Sequence, residues 1–304
     1  MQHTYVWPPR RLKQTLEGYL FISPWLVGLL LFTVGPVVAS FVLSFYKWRL
    51  ISPPQFVGLD NYVTMFTEDS LFWQSLRVTL IYVAVAVPLQ IAFAFFLAIL
   101  LNQKVRLIPL FRTLFYLPSV VSGVAVAVLW LWLYQPQFGL VNNFLGQLGI
   151  EGPAWLVSKR WALAAISGAG LWTVGGTMII FLAGLKDIPQ HLYEAAALDG
   201  AGEWAKFRHV TLTMLSPVIF FNLVLGMIVG FRQFELPLIM TEGGPVNATM
   251  FYALYLYLSA FKFLKMGYAS ALAWVLFIII IIVTGIQLRL ARHWVYYEYG
   301  EGGR

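Results

Sequence analysis

The stretch Ile188–Thr213 contains the carboxylate whose type and position point most clearly to a chemical role, Glu194. It is the only long segment in the second half of the chain that mixes charged with apolar residues. Apolar runs long enough to cross a bilayer flank it on both sides. Pro189 favours the start of a helix, and Asp199-Gly200 supplies a stop, because glycine adopts the left-handed conformation that closes a helix. We therefore predict a short helix at the membrane surface that presents Glu194 to a soluble partner.

A second, amphipathic arm follows that helix within the same stretch. Trp204, Phe207 and Val210 recur at a helical spacing, and the basic residues between them lie off that stripe. Ile188–Thr213, which we call the surface loop, is therefore expected to form a helix–turn–helix. A compact, partly charged element of this kind suits docking rather than catalysis.

Other kinds of chemistry have little support in the sequence. The chain has no cysteine, which excludes disulfides and thiolate metal sites, and its four histidines are too scattered to predict a zinc site. No glycine-rich phosphate loop ending in Gly-Lys-Ser/Thr is present, so the chain is not expected to bind ATP in that manner itself. Gln90, an amide inside an apolar run, is expected to bridge helices rather than bind a ligand. We predict no catalytic residue, no metal and no cofactor.

The composition is that of a membrane protein. Hydrophobic residues make up 60% of the chain and charged residues 11%, with a mean hydropathy of +0.76, whereas soluble domains carry about 25% charged residues. A spanning helix needs roughly 20 mainly apolar residues. Six stretches reach that length: Leu20–Phe45, Val78–Leu101, Leu114–Tyr134, Trp161–Leu185, Met214–Leu236 and Met266–Leu288. The predicted fold class is an all-α polytopic membrane protein with six transmembrane helices.

Lysine and arginine are distributed unequally between the two sides of these spans. The terminal segments, together with the second and fourth loops between spans, carry twice as many basic residues as the other three loops. The basic residues of those three loops are Lys47, Arg49, Lys159, Arg160, Lys262 and Lys265. Cytoplasmic loops carry the excess in membrane proteins. We therefore predict cytoplasmic tails at residues 1–18 and 291–304, a transmembrane domain at 19–290, and a cytoplasmic surface loop. This topology accounts for the net charge of +7 without a nucleic-acid partner.

The first arm of the surface loop carries a family resemblance. Glu194-Ala195-Ala196, three residues, then Gly200 resembles the EAA loop of permease subunits of binding-protein-dependent ABC importers, and EAAALDGA is similar to the sugar-importer branch, the maltose-type permeases. Val210–Thr213 departs from that family, which has Ile-x-Leu-Pro at this point. Other segments resemble the same branch in the same order: Phe56–Tyr62, Phe138–Asn142, Thr241–Pro245 and Gly267–Ala271.

The resemblance implies a permease subunit of a sugar ABC importer in the cell membrane. Such a subunit lies in membrane lipid and forms the sugar pathway with a second permease subunit. An extracytoplasmic solute-binding protein delivers the sugar, and two ATP-binding subunits in the cytoplasm drive the cycle. The surface loop is then the coupling loop, and the residues implied to contact the ATPase subunits are Glu194, Ala195, Ala196, Asp199 and Gly200.

The resemblance also implies two places where sugar is bound. The fourth span lines the sugar site in the maltose-type permeases, which makes Trp172 and Thr173 candidates within a glycine-rich stretch. A polar pair between two aromatic residues at the end of the fifth span contacts substrate in the family, and Arg232 and Gln233 occupy that place here. Trp172 also suits packing or an aromatic belt, and an interface position or an i,i+3 pair with Glu235 also explains Arg232.

Other functions stay open at this point. A permease for a polyol or a sugar phosphate such as glycerol phosphate would have a similar sequence, and Arg232 favours the phosphate. A secondary transporter would need ionisable residues in mid-span and often internal repeats, and the sequence shows neither. An intramembrane enzyme would need paired catalytic groups or metal ligands at matching depth, and the predicted spans contain no Asp or His.

Overall fold

The computed structural model describes residues 9–103 and 105–296, with side chains from residue 14 onward. The outer parts of the two predicted tails and Lys104 lie outside these residues. The α-helices are Pro9–Leu29, Gly35–Leu43, Asp60–Thr67, Ser70–Ile81, Val87–Leu101, Ile108–Tyr116, Gly123–Leu133, Leu140–Gln147, Ala162–Trp172, Gly175–Asp187, Gln190–Leu198, Glu203–Lys206, Leu212–Phe231, Glu235–Thr241, Tyr252–Tyr257 and Met266–Ala291. Short π- or 3₁₀-helical turns connect several of them: Leu30–Val34, Tyr82–Ala86, Leu117–Val120, Phe207–Thr211 and Leu258–Lys262. Two strands, Tyr46–Lys47 and Gln55–Phe56, form an antiparallel ladder.

Four helices of the described residues are individually long and apolar enough to cross a membrane: Gln14–Leu43, Ser70–Leu101, Glu203–Phe231 and Met266–Ala291. Two further spans are bent pairs of helices. Ile108–Val120 and Gly123–Leu133 meet at 101°, and Ala162–Trp172 and Gly175–Asp187 meet at 50°. Counting each pair as one span gives the six transmembrane segments predicted from the sequence.

The third span, predicted over Leu114–Tyr134, is broken close to Pro118, Ser119 and Ser122, the residues that indicate a weak point in its sequence. The 3₁₀ turn after Tyr116 contains Pro118 and ends in two residues, Val121 and Ser122, whose ψ angles of 140° and 137° are extended. The helix beyond the break has 11 residues. At 1.5 Å per residue it covers about half of a 30 Å hydrocarbon layer, so it does not cross alone.

Two of the spans accommodate an internal proline through a wider helical turn. Pro36 and Pro88 each follow a π-helical turn by two residues. In these turns the N–H of Gly35 bonds to the carbonyl of Leu30, and the N–H of Val87 bonds to that of Tyr82. A proline has no N–H and its ring collides with the carbonyl four residues earlier, and the wider turn relieves both problems. Both prolines therefore lie within continuous helical spans.

The described residues divide into two compact units. The first comprises residues up to 64 together with 259–274, and the second comprises 65–258 with 275 onward. In the first unit, the antiparallel bridge between Arg49 and Lys265 joins two loops. In the second unit, fully buried aromatic side chains such as Phe181, Phe231 and Tyr252 form the core.

Candidate functional site

The first arm of the surface loop is the helix Gln190–Leu198, and its end has the geometry that the sequence predicted. Gly200 has φ of +81°. The N–H of Ala201 bonds to the carbonyl of Ala196 at 2.9 Å, and the N–H of Gly200 bonds to that of Ala197 at 3.1 Å. These two bonds form a Schellman motif, which satisfies carbonyls that a helix end otherwise leaves unpaired. Pro189, predicted as the first helical residue, is the N-cap, so the helix begins one residue later at Gln190.

Glu194 is exposed on this helix and has no hydrogen-bond or ion-pair partner among the described residues. It is the fifth residue of the helix, beyond the first turn in which a carboxylate stabilises a helix N-terminus. Leu198 on the same helix is 90% exposed, and Trp204 in the second arm is 72% exposed. The surface loop thus presents an unpaired carboxylate beside large apolar side chains, a combination that suits a protein interface.

The second arm is not the separate helix that the sequence suggested. Glu203–Phe231 is one helical rod of 29 residues, so the second arm is the beginning of the fifth span. The stretch from Glu203 to Ser216 contains no proline that would interrupt the helix, so the second arm continues into the span. Trp204 also departs from the expected apolar stripe, since it is exposed whereas Phe207 stacks on Phe95 at 6.2 Å.

A hydrogen bond between the two arms was not foreseen. The hydroxyl groups of Tyr193 and Thr211 lie 2.9 Å apart, and Thr211 is buried. Tyr193 directly precedes Glu194 on the exposed helix, whereas Thr211 belongs to the rod that continues as the fifth span. The first arm is therefore tied to the fifth span close to the exposed carboxylate.

A cavity of about 260 Å³ lies in the second unit between the second, fourth and fifth spans. Its polar lining residues are Tyr82, Gln90, Thr173, Thr177, Asn222 and Gln233. None of the described residues that line it is charged. Three glycines open the space, Gly170, Gly226 and Gly230. A Cβ at Gly230 would lie 2.8 Å from Val87, so the helices approach closely there.

Some polar groups of the cavity have hydrogen-bond partners within the protein. Gln90 donates to the Tyr82 hydroxyl at 3.2 Å, the Asn222 amide donates to the carbonyl of Val218 at 2.8 Å, and the Thr173 hydroxyl donates to that of Gly170 at 3.0 Å. The amide oxygens of Gln90 and Asn222 stay available as acceptors. The Gln233 side chain has no partner among the described residues and is available as both donor and acceptor.

The structure separates the four residues predicted to line the substrate pathway. Thr173 and Gln233 line the cavity, and Trp172 and Arg232 do not. Trp172 is 39% exposed, with its ring edge-on to Trp130 at 6.3 Å. Arg232 is exposed and caps the C-terminal end of the fifth span, which ends at Phe231.

The suggested ion pair between Arg232 and Glu235 is not formed, because the helix that would bring them together ends before Arg232. The Glu235 carboxylate instead packs against Gly123, where a Cβ would require the carboxylate to shift. Gly123 is the first residue of the helix beyond the break in the third span. The carboxylate thus lies beside the positive end of that helix, which favours a negative charge.

Comparison with known proteins places the chain in a family. A family model described as binding-protein-dependent transport system inner membrane component matches residues 90–296. The probable ABC transporter permease protein YesP of Bacillus subtilis (strain 168) is 44% identical over 293 residues, which cover 95% of this chain and 94% of that protein. The chain belongs to this family. It is therefore a membrane-embedded permease subunit of an ABC transporter rather than an enzyme, and the alternative of a secondary transporter is wrong.

Other relatives of this permease carry substrate names. The lactose transport system permease protein LacF of Rhizobium radiobacter is 36% identical, over 91% of this chain and 94% of its own length. The arabinooligosaccharides transport system permease protein AraP of Bacillus subtilis (strain 168) is 31% identical, over 90% of this chain and 88% of its own length. A crystallised bacterial ABC transporter involved in the import of the acidic polysaccharide alginate has a chain that matches this fold with a TM-score of 0.81 at 23% identity, covering 93% of this permease and 97% of that chain.

Three polar residues that line the cavity of the permease were not singled out from the sequence: Tyr82, Thr177 and Asn222. Gln90 was noticed and interpreted as a bridge between helices. Its hydrogen-bond partner Tyr82 lies in the same span, so this bond does not join two helices, and both side chains line the cavity. A signal was present for Asn222, since it is the only Asn or Gln in an otherwise apolar fifth span before Gln233. Such polar groups in a span are costly unless they are paired or line a polar space.

Proposed function

We propose that this permease is the transmembrane subunit of a carbohydrate importer in the cell membrane. The observation that carries the proposal is the cavity, where the described lining residues offer amide and hydroxyl groups and carry no charge. Such groups donate and accept hydrogen bonds with a neutral polyhydroxyl ligand. The names of the lactose and arabinooligosaccharide relatives support the same class of substrate. A phosphorylated substrate has less support, because Arg232 is not part of the lining.

The pathway is expected to be completed by a second permease subunit. The cavity of about 260 Å³ lies below the roughly 300–1,000 Å³ that is usual for small-molecule sites. Thr173 and Gln233 supply polar contacts from this chain. Trp172 and Arg232 are exposed near those two residues in sequence, and we assign them to the wall that faces the shared pathway. An indole face suits the C–H face of a sugar ring.

Coupling to ATP hydrolysis is proposed to run through one helix. Two ATP-binding subunits contact the helix Gln190–Leu198 through Glu194, and the Tyr193–Thr211 bond passes its movement to the rod Glu203–Phe231. The same rod contributes Asn222, Gly226 and Gly230 to the cavity lining. From Glu203 to Gly230 the rod is about 40 Å long at 1.5 Å per residue. A tilt of its cytoplasmic end therefore changes the cavity wall, which is the structural requirement of alternating access.

The topology that this coupling requires is the one the Lys/Arg asymmetry indicates. Both termini and the surface loop lie in the cytoplasm, and the permease domain covers residues 19–290 between tails at 1–18 and 291–304. An extracytoplasmic solute-binding protein delivers the sugar on the opposite side. The structure of the alginate transporter in complex with a periplasmic protein that holds an alginate pentasaccharide is consistent with such a partner.

The test uses the complete transporter, reconstituted with its solute-binding protein and a panel of neutral and phosphorylated sugars. We expect neutral sugars to stimulate ATP hydrolysis and to be transported. Gln233→Ala and Thr173→Val should lower transport while basal ATPase activity is unchanged. Gln147→Ala, an amide substitution on the helix Leu140–Gln147 away from the cavity, is the matched control. Stimulation by sugar phosphates alone, or unchanged transport and sugar preference in both cavity variants, would refute the proposal.

A further inference from the structure

A second pocket lies within the first unit, where two loops meet beside the ends of two spans. It is an open depression with a volume of about 740 Å³. Its lining residues are Arg49, Ile51, Ser52, Phe263, Leu264 and Lys265. One loop follows the span that ends at Leu43, and the other directly precedes the span that begins at Met266. We call this space the loop pocket.

The backbone holds the two loops of this pocket together. Arg49 and Lys265 form an antiparallel bridge, and the N–H of Gly267 bonds to the carbonyl of Trp48 at 3.3 Å. Gly267 lies so close to the carbonyl of Tyr46 that no Cβ would fit there. Leu264 has φ of +54°, which is strained for a branched residue and shows that the surrounding contacts fix the turn. The two cations are therefore positioned by the fold.

The loop pocket is strongly basic. Lys47 and Lys262 flank Arg49 and Lys265, and none of the four forms an ion pair among the described residues. The nearest acidic residue along either loop is Asp60, in the first turn of the helix Asp60–Thr67. Four cations in two adjoining loops repel one another, and an anion between them would relieve that repulsion.

The apolar residues of the pocket indicate the kind of anion. Ile51 is 88% exposed, and Phe263 is also exposed although it lies among cations. Met266 starts an apolar span immediately after Lys265, so we expect the pocket to lie where acyl chains give way to headgroups. Cations and apolar side chains together at this level match a phosphodiester headgroup with the first part of its acyl chains.

We propose that the loop pocket binds an anionic phospholipid, whose phosphate contacts Arg49 and Lys265 and whose chains pack on Ile51 and Phe263. This site is distinct from the sugar cavity and does not depend on the proposed substrate. A soluble phosphate would share the charge contacts and lack the apolar ones. An acidic surface of the solute-binding protein would need water-facing loops, and the exposed isoleucine and phenylalanine are better suited to lipid.

The experiment measures lipid bound to the assembled transporter by native mass spectrometry. The complex is purified in a neutral detergent, stripped of lipid, and titrated with phosphatidylglycerol or phosphatidylcholine. A surface cation strengthens binding to anionic lipid about fivefold, so Arg49→Gln with Lys265→Gln should weaken phosphatidylglycerol retention roughly 25-fold. Lys159→Gln with Arg160→Gln removes the same charge from another loop predicted on the same side and should leave retention unchanged.

A second variant keeps the test sharp if the charge removal disturbs the loops. Arg49→Lys with Lys265→Arg preserves both charges and should retain the lipid. The proposal would be overturned if both charge-removal variants lost phosphatidylglycerol equally. It would also be overturned if the wild type retained phosphatidylcholine as well as phosphatidylglycerol. Displacement of the lipid by millimolar glycerol phosphate would assign the pocket to a soluble phosphate. Unchanged lipid binding with weakened binding of the solute-binding protein would assign it to that protein.

Discussion

Replacing Gly200 tests whether the turn of the surface loop transmits force to the permease. Gly200 has φ of +81°, and a Cβ built there would meet nothing within 4 Å. The cost of Gly200→Ala is therefore backbone strain alone, because no neighbour has to move. The left-handed conformation costs an L-residue roughly 1–2 kcal/mol. Valine should cost more since it is β-branched, whereas asparagine tolerates this conformation best after glycine.

Gly202 offers a matched control two residues further along. It also has open space around its Cβ position, but its φ is −72°, which any residue adopts. Gly202→Ala should therefore have no effect on the turn. An energy of 1–2 kcal/mol changes the population of the native turn by a factor of about 5–30. Transport and sugar-stimulated ATPase activity should fall in the order Gly200, Gly200→Asn, Gly200→Ala, Gly200→Val.

The assay is sugar uptake and ATP hydrolysis by proteoliposomes that contain equal amounts of assembled transporter. Assembly is checked by copurification of the second permease, so that a loss of membrane insertion is not mistaken for a loss of coupling. If Gly200→Ala and Gly202→Ala behave alike, or if Gly200→Val couples as the wild type does, the turn geometry has no role in force transmission.

Two further predictions concern the same loop. Tyr193→Phe and Thr211→Val each remove one partner of the hydrogen bond between the arms. In a double-mutant cycle read out as coupling efficiency, the pair should show an interaction of about 0.5–1.5 kcal/mol, and strict additivity would show that the bond transmits nothing. In this cysteine-free chain, single cysteines at Thr67 and Gly202 should label from opposite sides of the membrane. Labelling of Gly202→Cys by an impermeant reagent in intact cells would reverse the orientation.

The sequence predicted those features that depend on neighbouring residues. The positive φ of Gly200 follows from a glycine placed after a run of helix formers, and the number of spans follows from apolar length. Pro118, Ser119 and Ser122 indicated a weak point in the third span. The 101° bend was beyond reach, because its size depends on packing: Gly175 of the fourth span approaches the broken segment so closely that a Cβ would lie 2.7 Å from the Cα of Tyr116.

The cavity was predicted only in part, for a similar reason. Thr173 lies at the break in the fourth span and Gln233 follows the end of the fifth. Both residues therefore lie where a helix is interrupted or ends, and such positions can be recognised in a sequence. Asn222 lies within a regular helix, where its spacing does not say whether it faces lipid, a neighbouring helix or a space between helices. That depends on which faces of three separate spans converge, and composition and periodicity carry no information on it.

The most direct test of the account is the strength with which the ATP-binding subunits bind to a permease carrying Glu194→Lys. Glu194 has no partner within the described residues, so its contact is expected to lie on another subunit. A charge-assisted hydrogen bond contributes on the order of 1.5–3 kcal/mol, so its loss should weaken binding tenfold or more. Glu203→Lys is the matched reversal, since Glu203 already pairs with Lys206 at 3.0 Å. We predict that Glu194→Lys inserts normally, loses the ATP-binding subunits and stops transport, whereas Glu203→Lys retains both. A Glu194→Lys transporter that assembles and transports at wild-type rates would contradict the account.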